Sequence, residues 1–422
     1  MTLFITLLVL FLLLRWSLNY TSSVGNWIEQ RLPVAGFLHE HLGRYPAPKN
    51  LNYMYMFGAL LMLAIAMQYV TGIWLVMVYV PTAEDAFASV QTIMRDVPYG
   101  WLIRYTHASG ASLIFVLLYL HIFRSLWYGS YKAPRELLWL SGVFMLLLMM
   151  AEAYTGYVLP WGQMSYWASK VIISLFSTIP LIGDTVVVWL QGDYEVSSVT
   201  LHRFFAFHVV GFSFIILGMV LLHIILLHSV GSNNPDGVDI LAVRDKRGWP
   251  RDAIPYYPYF VYKYIPVVVL YLLFTAMVVL WFPTATDLVL EKENYRAADP
   301  LVTPAHIRPA WYLSPYYAIL RAIPDKSLGA LMMLLSIVLW AFLPWLDTSM
   351  VRSMRYRSRW ARCSLVVLIV AFVTLGIVGS LPSSANTLWI SRVATFVYFG
   401  YFVSLPLLGR YARDYTVPRR IP

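Results

Sequence analysis

Cysteine is almost missing from this chain of 422 residues. The single thiol, Cys363, excludes an intrachain disulfide and any Cys-x-x-Cys-His attachment of haem. Charge is scarce as well, with 12% charged residues against 59% hydrophobic ones and a mean hydropathy of +0.65. A soluble domain could not hide that much apolar surface, so the composition indicates a polytopic membrane protein. Acidic residues are outnumbered, which leaves a net charge of +10. The bases gather in particular loops, so the positive-inside rule accounts for them better than a nucleic-acid partner does.

Long apolar runs are what the chain has in abundance. Eight are long enough to span a bilayer: about 52–80, 103–127, 137–159, 204–228, 262–282, 328–346, 363–381 and 388–408. The expected fold is therefore all-α with eight transmembrane helices. Residues 1–23 form an apolar extension too short to be a clear span and without the basic start of a signal peptide. Residues 24–51 mix Trp27, Ile28, Leu32 and Phe37 with charges, as an amphipathic surface helix would. Lys132 and Arg135, the group Arg244, Lys246, Arg247 and Arg251, and the group Arg352, Arg355, Arg357 and Arg359 fall in alternate loops. Those loops should share the negative side of the membrane. The remaining loops, containing Glu84, Asp85, Asp184, Asp193, Asp287, Glu291 and Glu293, face the positive side.

Four histidines sit inside two of these spans: His107 and His121 in the second, His208 and His223 in the fourth. Polar side chains at that depth are costly and usually have a partner. Spacings of 14 and 15 residues correspond to rises of about 21 and 22 Å, close to four turns. Each helix thus presents two imidazoles on roughly one face at two depths, as two stacked haems would require. Depth pairs His107 with His208 near the positive side and His121 with His223 near the negative side. His202 lies about 240° around the helix from His208 and should point elsewhere. Gly58, Gly72, Gly110, Gly142 and Gly156 would admit close helix packing and a flat macrocycle. Arg104 and Arg124, each three residues from a ligand candidate, could pair with propionates.

The segments GYVLPWGQMSYW (156–167), RYTHASGAS (104–112), YGSYKAPRE (128–136), RFFAFH (203–208), HSVGSNNPDG (228–237) and ILRAIPDK (319–326) together resemble the cytochrome b family, from about residue 24 to 410. The resemblance implies a dihaem four-helix bundle over 52–235, a negative-side loop over 236–261 and a C-terminal helical region over 262–410. It also implies an outer quinol-site loop over 283–328 and leaves 411–422 as a tail. The implied activity is that of a core subunit of a quinol:cytochrome c oxidoreductase, respiratory complex III, active only within the complex. Quinol would be oxidised on the positive side, and one electron would cross two non-covalent b haems, the outer of low and the inner of high potential. A quinone such as ubiquinone would receive it on the negative side in a Q cycle that translocates protons. A Rieske iron–sulfur protein, a cytochrome c-type subunit, the lipid membrane and a second copy of the complex are the implied partners.

Carried over residue by residue, the outer quinol site matches Tyr154, Tyr157, Met164, Trp167, Ala168, Pro309, Trp311 and Tyr312. The inner quinone site matches His228 and Lys263. The sequence departs from the family pattern at three points. Ala310 stands where Pro-Glu-Trp-Tyr has its glutamate, Tyr264 where an acidic residue usually follows the lysine, and Ala168 where glycine is more common. Glu152, an ionisable group within the third span, is the expected substitute proton-exit group. The 15-residue histidine spacing resembles some proteobacterial members, which favours a bacterial inner membrane over the mitochondrial one. The photosynthetic quinol-oxidising complex and dihaem cytochromes b of other quinone-linked oxidoreductases are the alternatives. The first normally splits this chain and uses an early cysteine, and the second need only four or five helices. A transporter using histidine proton relays is the non-redox alternative.

Overall fold

The computed structural model describes residues 43–284 and 289–421, together with scattered positions between 26 and 36. The apolar extension and part of the surface-helix segment, including Ile28 and Phe37, lie outside the described residues. Twelve helices are described. The first is α1 (Phe57–Val76), entered through a 3₁₀ turn at Tyr53–Met56, then come α2 (Ala86–Arg95), α3 (Gly100–Tyr128) and α4 (Glu136–Val158). Then follow α5 (Gln163–Leu175), α6 (Gly183–Gln191), α7 (Ser198–Val230) and α8 (Tyr259–Trp281). The chain ends with α9 (Ser314–Ala322), α10 (Lys326–Leu346), α11 (Arg359–Ser380) and α12 (Ala385–Tyr411). Eight of them, α1, α3, α4, α7, α8, α10, α11 and α12, are long and apolar enough to cross a membrane.

Local signals account for several helix ends. Ser197 caps α7 through the Val199 N–H, and Asp325, Ser358 and Ser384 cap α10, α11 and α12 in the same way. Gly129 closes α3 in the left-handed region at φ 63°, against the backbone of Arg352. α7 starts earlier than hydropathy suggests, because its first turns carry His202 and Arg203 on an amphipathic segment. The surface helix expected to reach residue 51 does not: Pro46–Pro48 is a short strand paired antiparallel with Ala253–Pro255. Two prolines in three residues remove the N–H groups a helix would need.

α3 packs on α1 and α8, and α4 packs on α7 and α10. α9 packs on α10, α11 and α12, and their aromatic core, including Tyr316, Trp340, Phe372 and Tyr398, continues onto Phe115 and Tyr119 of α3. The basic loops meet one another. Arg135 donates to Gly231 O at 3.0 Å, Arg352 to Ala133 O at 2.9 Å, and Arg355 pairs with Asp236 at 2.9 Å. Lys132 and Arg357 both reach the buried Asp347 at 2.9 Å. Burial opposes ionisation of Asp347, but the two cations outweigh it and hold the carboxyl below its ordinary range. On the opposite side, Gln163 N donates to Arg296 O at 3.0 Å and Ala83 N to Ser198 Oγ at 2.8 Å. Alternation of the loops is thus as the basic residues require.

Candidate dihaem and quinone sites

α3 and α7 carry the four histidines, each faced by a glycine from a neighbouring helix. A Cβ built on Gly72 of α1 would stand 3.2 Å from His107 Cε1, and one on Gly58 would stand 3.4 Å from His121 Cε1. On α4, a Cβ at Gly142 would stand 3.5 Å from His223 Cε1, and one at Gly156 would lie 2.8 Å from His208 Nδ1. Gly110 faces Gln68, whose amide donates to His107 O at 3.1 Å. The glycines therefore clear space for the imidazoles themselves. His107 and His208 lie with ring centroids 6.1 Å apart. His121 and His223 lie within electrostatic reach of each other and of Arg124. His202 is exposed, with Nδ1 on Ser198 O at 3.0 Å, away from both pairs.

The 15-residue spacing has a structural cause. Phe207–Phe212, which contains His208, is a π-helical turn within α7. A π turn absorbs one extra residue without ending the helix. Fifteen residues then bring His208 and His223 to nearly the relative angle that fourteen give on α3.

In each histidine the hydrogen-bonded nitrogen is Nδ1. His107 meets Thr71 Oγ1 at 3.0 Å, and His223 meets Ser141 Oγ at 2.7 Å. His208 meets Glu152 O at 3.0 Å and Glu152 Oε1 at 3.2 Å. Oxygen acceptors there keep the proton on Nδ1 and leave Nε2 for a metal. His121 differs, since its Nδ1 faces the donor Arg124 Nη2 at 3.3 Å. Arg124 is buried with its Nε unpartnered. Neither it nor Arg104 forms an ion pair with a carboxylate among the described residues. A buried Arg124 and a half-buried Arg104 of this kind suit an anionic group supplied by a ligand.

Between the helix pairs lies a largely apolar cavity of about 310 Å³. Its walls include Gly72, His107, Gly156 and His208, one residue from each of α1, α3, α4 and α7, with Arg104 nearby. It extends to Tyr157, Glu291, Asn294, Ala310 and Tyr312. A second cavity of only about 10 Å³ is walled by Tyr154, Tyr157, Ala168, Pro309, Ala310 and Tyr312. Tyr154, Tyr157, Ala168, Pro309 and Tyr312 of the expected outer quinol site thus share one wall, whereas Met164, Trp167 and Trp311 line neither cavity. Met164 is buried close by in sequence, Trp167 Nε1 donates to Asp299 O at 3.2 Å, and Trp311 Nε1 donates to Ser112 Oγ at 3.2 Å. Tyr312 stacks on Phe115 with centroids 4.0 Å apart.

Glu152, expected as a proton-exit group, lines the cavity that also holds Tyr157, Ala310 and Tyr312. Its Oε1 accepts from Ser213 Oγ at 2.9 Å and lies 3.2 Å from His208 Nδ1, while Oε2 is buried without a hydrogen-bond partner. The carboxylate that reaches Tyr157 is Glu291, which the sequence marked only as one acidic residue of a positive-side loop. On the side of the basic loops, His228 packs on Tyr45 with ring centroids 4.5 Å apart. Lys263 donates to Leu51 O at 2.5 Å. The aromatic chain of Tyr45, Tyr256, Phe260 and the buried Tyr264 lies between these two residues.

Residues 42–231 match the family described as cytochrome b/b6/petB, and residues 297–399 match cytochrome b(C-terminal)/b6/petD. The chain belongs to the cytochrome b family. Cytochrome b of Allochromatium vinosum is 45% identical over 94% of this chain and 97% of its own length. That of Rickettsia prowazekii is 46% identical, covering 94% and 97%. Cytochrome b/c1 of Bradyrhizobium diazoefficiens is 44% identical, and the match spans 94% of this chain but 56% of that one. A solved chain of a hyperthermophilic respiratory complex III superposes with a TM-score of 0.85 at 33% identity, covering 91% of this chain and 98% of its own. Like other cytochromes b, this chain is a multi-pass inner-membrane protein, and membership implies b-type haem.

Proposed function

We propose that this cytochrome b is the membrane core of a quinol:cytochrome c oxidoreductase of the complex III type. The observation that carries the reading is the pairing of His107 with His208 beside a cavity that runs on to Tyr157, Ala310 and Tyr312. One outer metal pair and one quinol pocket thus share a wall. When bound, two b haems would supply one-electron relay between the two sides of the membrane.

The residues present fit that pair of groups. His107 and His208 would hold the outer haem, His121 and His223 the inner one. Thr71, Glu152 and Ser141 orient three of these imidazoles through Nδ1. Arg104 and Arg124 would meet propionates, and Arg124 in doing so would leave His121 Nδ1. The ring separation of 6.1 Å at the outer pair is close to what two imidazole nitrogens about 2 Å from one metal demand. Tyr154, Tyr157, Ala168, Pro309, Trp311 and Tyr312 would bind and orient quinol, and His228 and Lys263 would serve the negative-side quinone. Ala168 narrows the small outer cavity.

For Glu152 the contacts support an effect on the haem ligand. A carboxylate accepting from Nδ1 makes an imidazole a stronger electron donor, which favours the oxidised metal. A Rieske iron–sulfur protein and a cytochrome c-type subunit are the proposed partners, in a dimer of the complex. The names of the Bradyrhizobium relative and the solved complex III support that assignment. Purification of the complex with subunit identification and quinol-dependent reduction of cytochrome c tests it. A chain isolated without iron–sulfur and c-type partners, and inert towards quinol, would refute it.

A further inference from the structure

Oxidation of a quinol to a quinone releases two electrons and two protons. A site that does this needs a base within hydrogen-bond reach of a hydroxyl. The Pro309-Ala310-Trp311-Tyr312 segment brings no carboxylate of its own. Two carboxylates line the large cavity, Glu152 and Glu291. Glu152 has Oε1 engaged by Ser213 Oγ and by His208 Nδ1, the proposed haem ligand, and only Oε2 without a partner.

Glu291 sits against Tyr157. It is buried, at 7% exposure, on the loop between α8 and α9. One oxygen, Oε2, accepts the hydroxyl proton of Tyr157. The other, Oε1, lies 3.6 Å from Arg308 Nε. Tyr157 also borders the small cavity formed with Ala168, Pro309 and Ala310, so the Glu291–Tyr157 pair joins both cavities. Tyr312 is within electrostatic reach of the same carboxylate, while Arg104 and Asn294 share its cavity wall.

Resting on the quinol-oxidising role argued above, we propose that Glu291, held by Tyr157 and Arg308, is the catalytic proton acceptor of the outer quinol site in this chain. Electrons leave the quinol to the one-electron acceptors, an iron–sulfur centre and the outer haem. Glu291 takes one hydroxyl proton, and the second passes from the other hydroxyl to water at the positive side, directly or through the iron–sulfur partner. The carboxylate is thus supplied from residue 291 in place of residue 310. Burial pushes the Glu291 carboxyl up, partly offset by Arg308, to about 7. That value suits a general base near neutral pH, which is active in its ionised form. The rate should therefore climb as pH rises through about 7 and level off above it.

The test is the pre-steady-state rate of quinol-driven haem reduction, measured from pH 5.5 to 9 in the purified complex with haem spectra recorded alongside. E291Q is expected to lose on the order of 100-fold in rate and to lose the rising limb, with KM little changed. E291Q/A310E should recover part of the rate and a rising limb. Should E291Q fail to assemble, E291D should retain a rising limb, and Y157F, which removes a donor to the carboxylate, should move the limb to higher pH. A wild-type rate and pH profile in E291Q, or a Y157F profile superimposable on wild type, would overturn the proposal. A wild-type complex with both haems but no quinol-driven haem reduction would instead refute the quinol-oxidising role itself.

Discussion

Substituting Gly156 tests the packing around the outer pair more severely than removing a ligand does. A Cβ at this position would lie 2.8 Å from His208 Nδ1 and 2.9 Å from Nε2, inside the 3.0 Å that real Cβ contacts respect. The imidazole cannot swing clear, because Glu152 O and Oε1 hold Nδ1 at 3.0 and 3.2 Å and a metal would hold Nε2. Overfilling a packed contact costs about 1–3 kcal/mol, which is about 5- to 150-fold in haem affinity if only the bound geometry suffers. Gly142 supplies the control on the same helix, since its Cβ would stand 3.5 Å from His223 in ordinary contact. G156A should therefore lower outer-haem occupancy or release the haem during purification, while G142A should retain both haems. Gly72 at 3.2 Å and Gly58 at 3.4 Å should fall between, in that order. The assay is haem content per complex by pyridine haemochrome with reduced-minus-oxidised spectra. G156A with two full haems and an unmoved outer midpoint, or G142A losing haem first, would refute the reasoning.

Two further substitutions probe the same cavity. In E152Q the acceptor on His208 Nδ1 loses its charge, so the outer midpoint potential should rise while the inner one stays. An unmoved outer midpoint would remove Glu152 from the ligand's environment, and slowed quinol oxidation rescued by A310E would restore the proton-exit role anticipated from the sequence. In A168G a methyl leaves the wall of the 10 Å³ cavity, so strobilurin-type inhibitors should bind more tightly by about 1–3 kcal/mol, and equal inhibition of both forms would contradict this.

The spans and the loop alternation are legible, because burial in lipid leaves long apolar runs, and the intramembrane histidines that the sequence makes conspicuous do lie near one another, His107 by His208 and His121 by His223. The basic residues mark loops that share one side, and Lys132, Arg135, Arg352 and Arg357 do converge. What stayed hidden depends on backbone detail and on distant contacts. A one-residue surplus on α7 could be counted, but the π turn at Phe207–Phe212 that absorbs it has no sequence signature of its own. The strand at Pro46–Pro48 depends on a partner more than 200 residues away. Glu291 read as one loop acid among several, because only the tertiary fold brings it to Tyr157. Glu152 was visible as an intramembrane acid, yet nothing in spacing tells which neighbour its carboxylate faces.

The most direct measurement is a redox titration of the reduced-minus-oxidised visible spectrum in the wild-type complex and in H208L, H223L and H202L. The wild type should show two b-type haems with separate midpoints. H208L should lack only the lower-potential component, H223L only the higher-potential one, and H202L neither. A single haem in the wild type, loss of the same component from H208L and H223L, or a haem missing from an assembled H202L complex would contradict it.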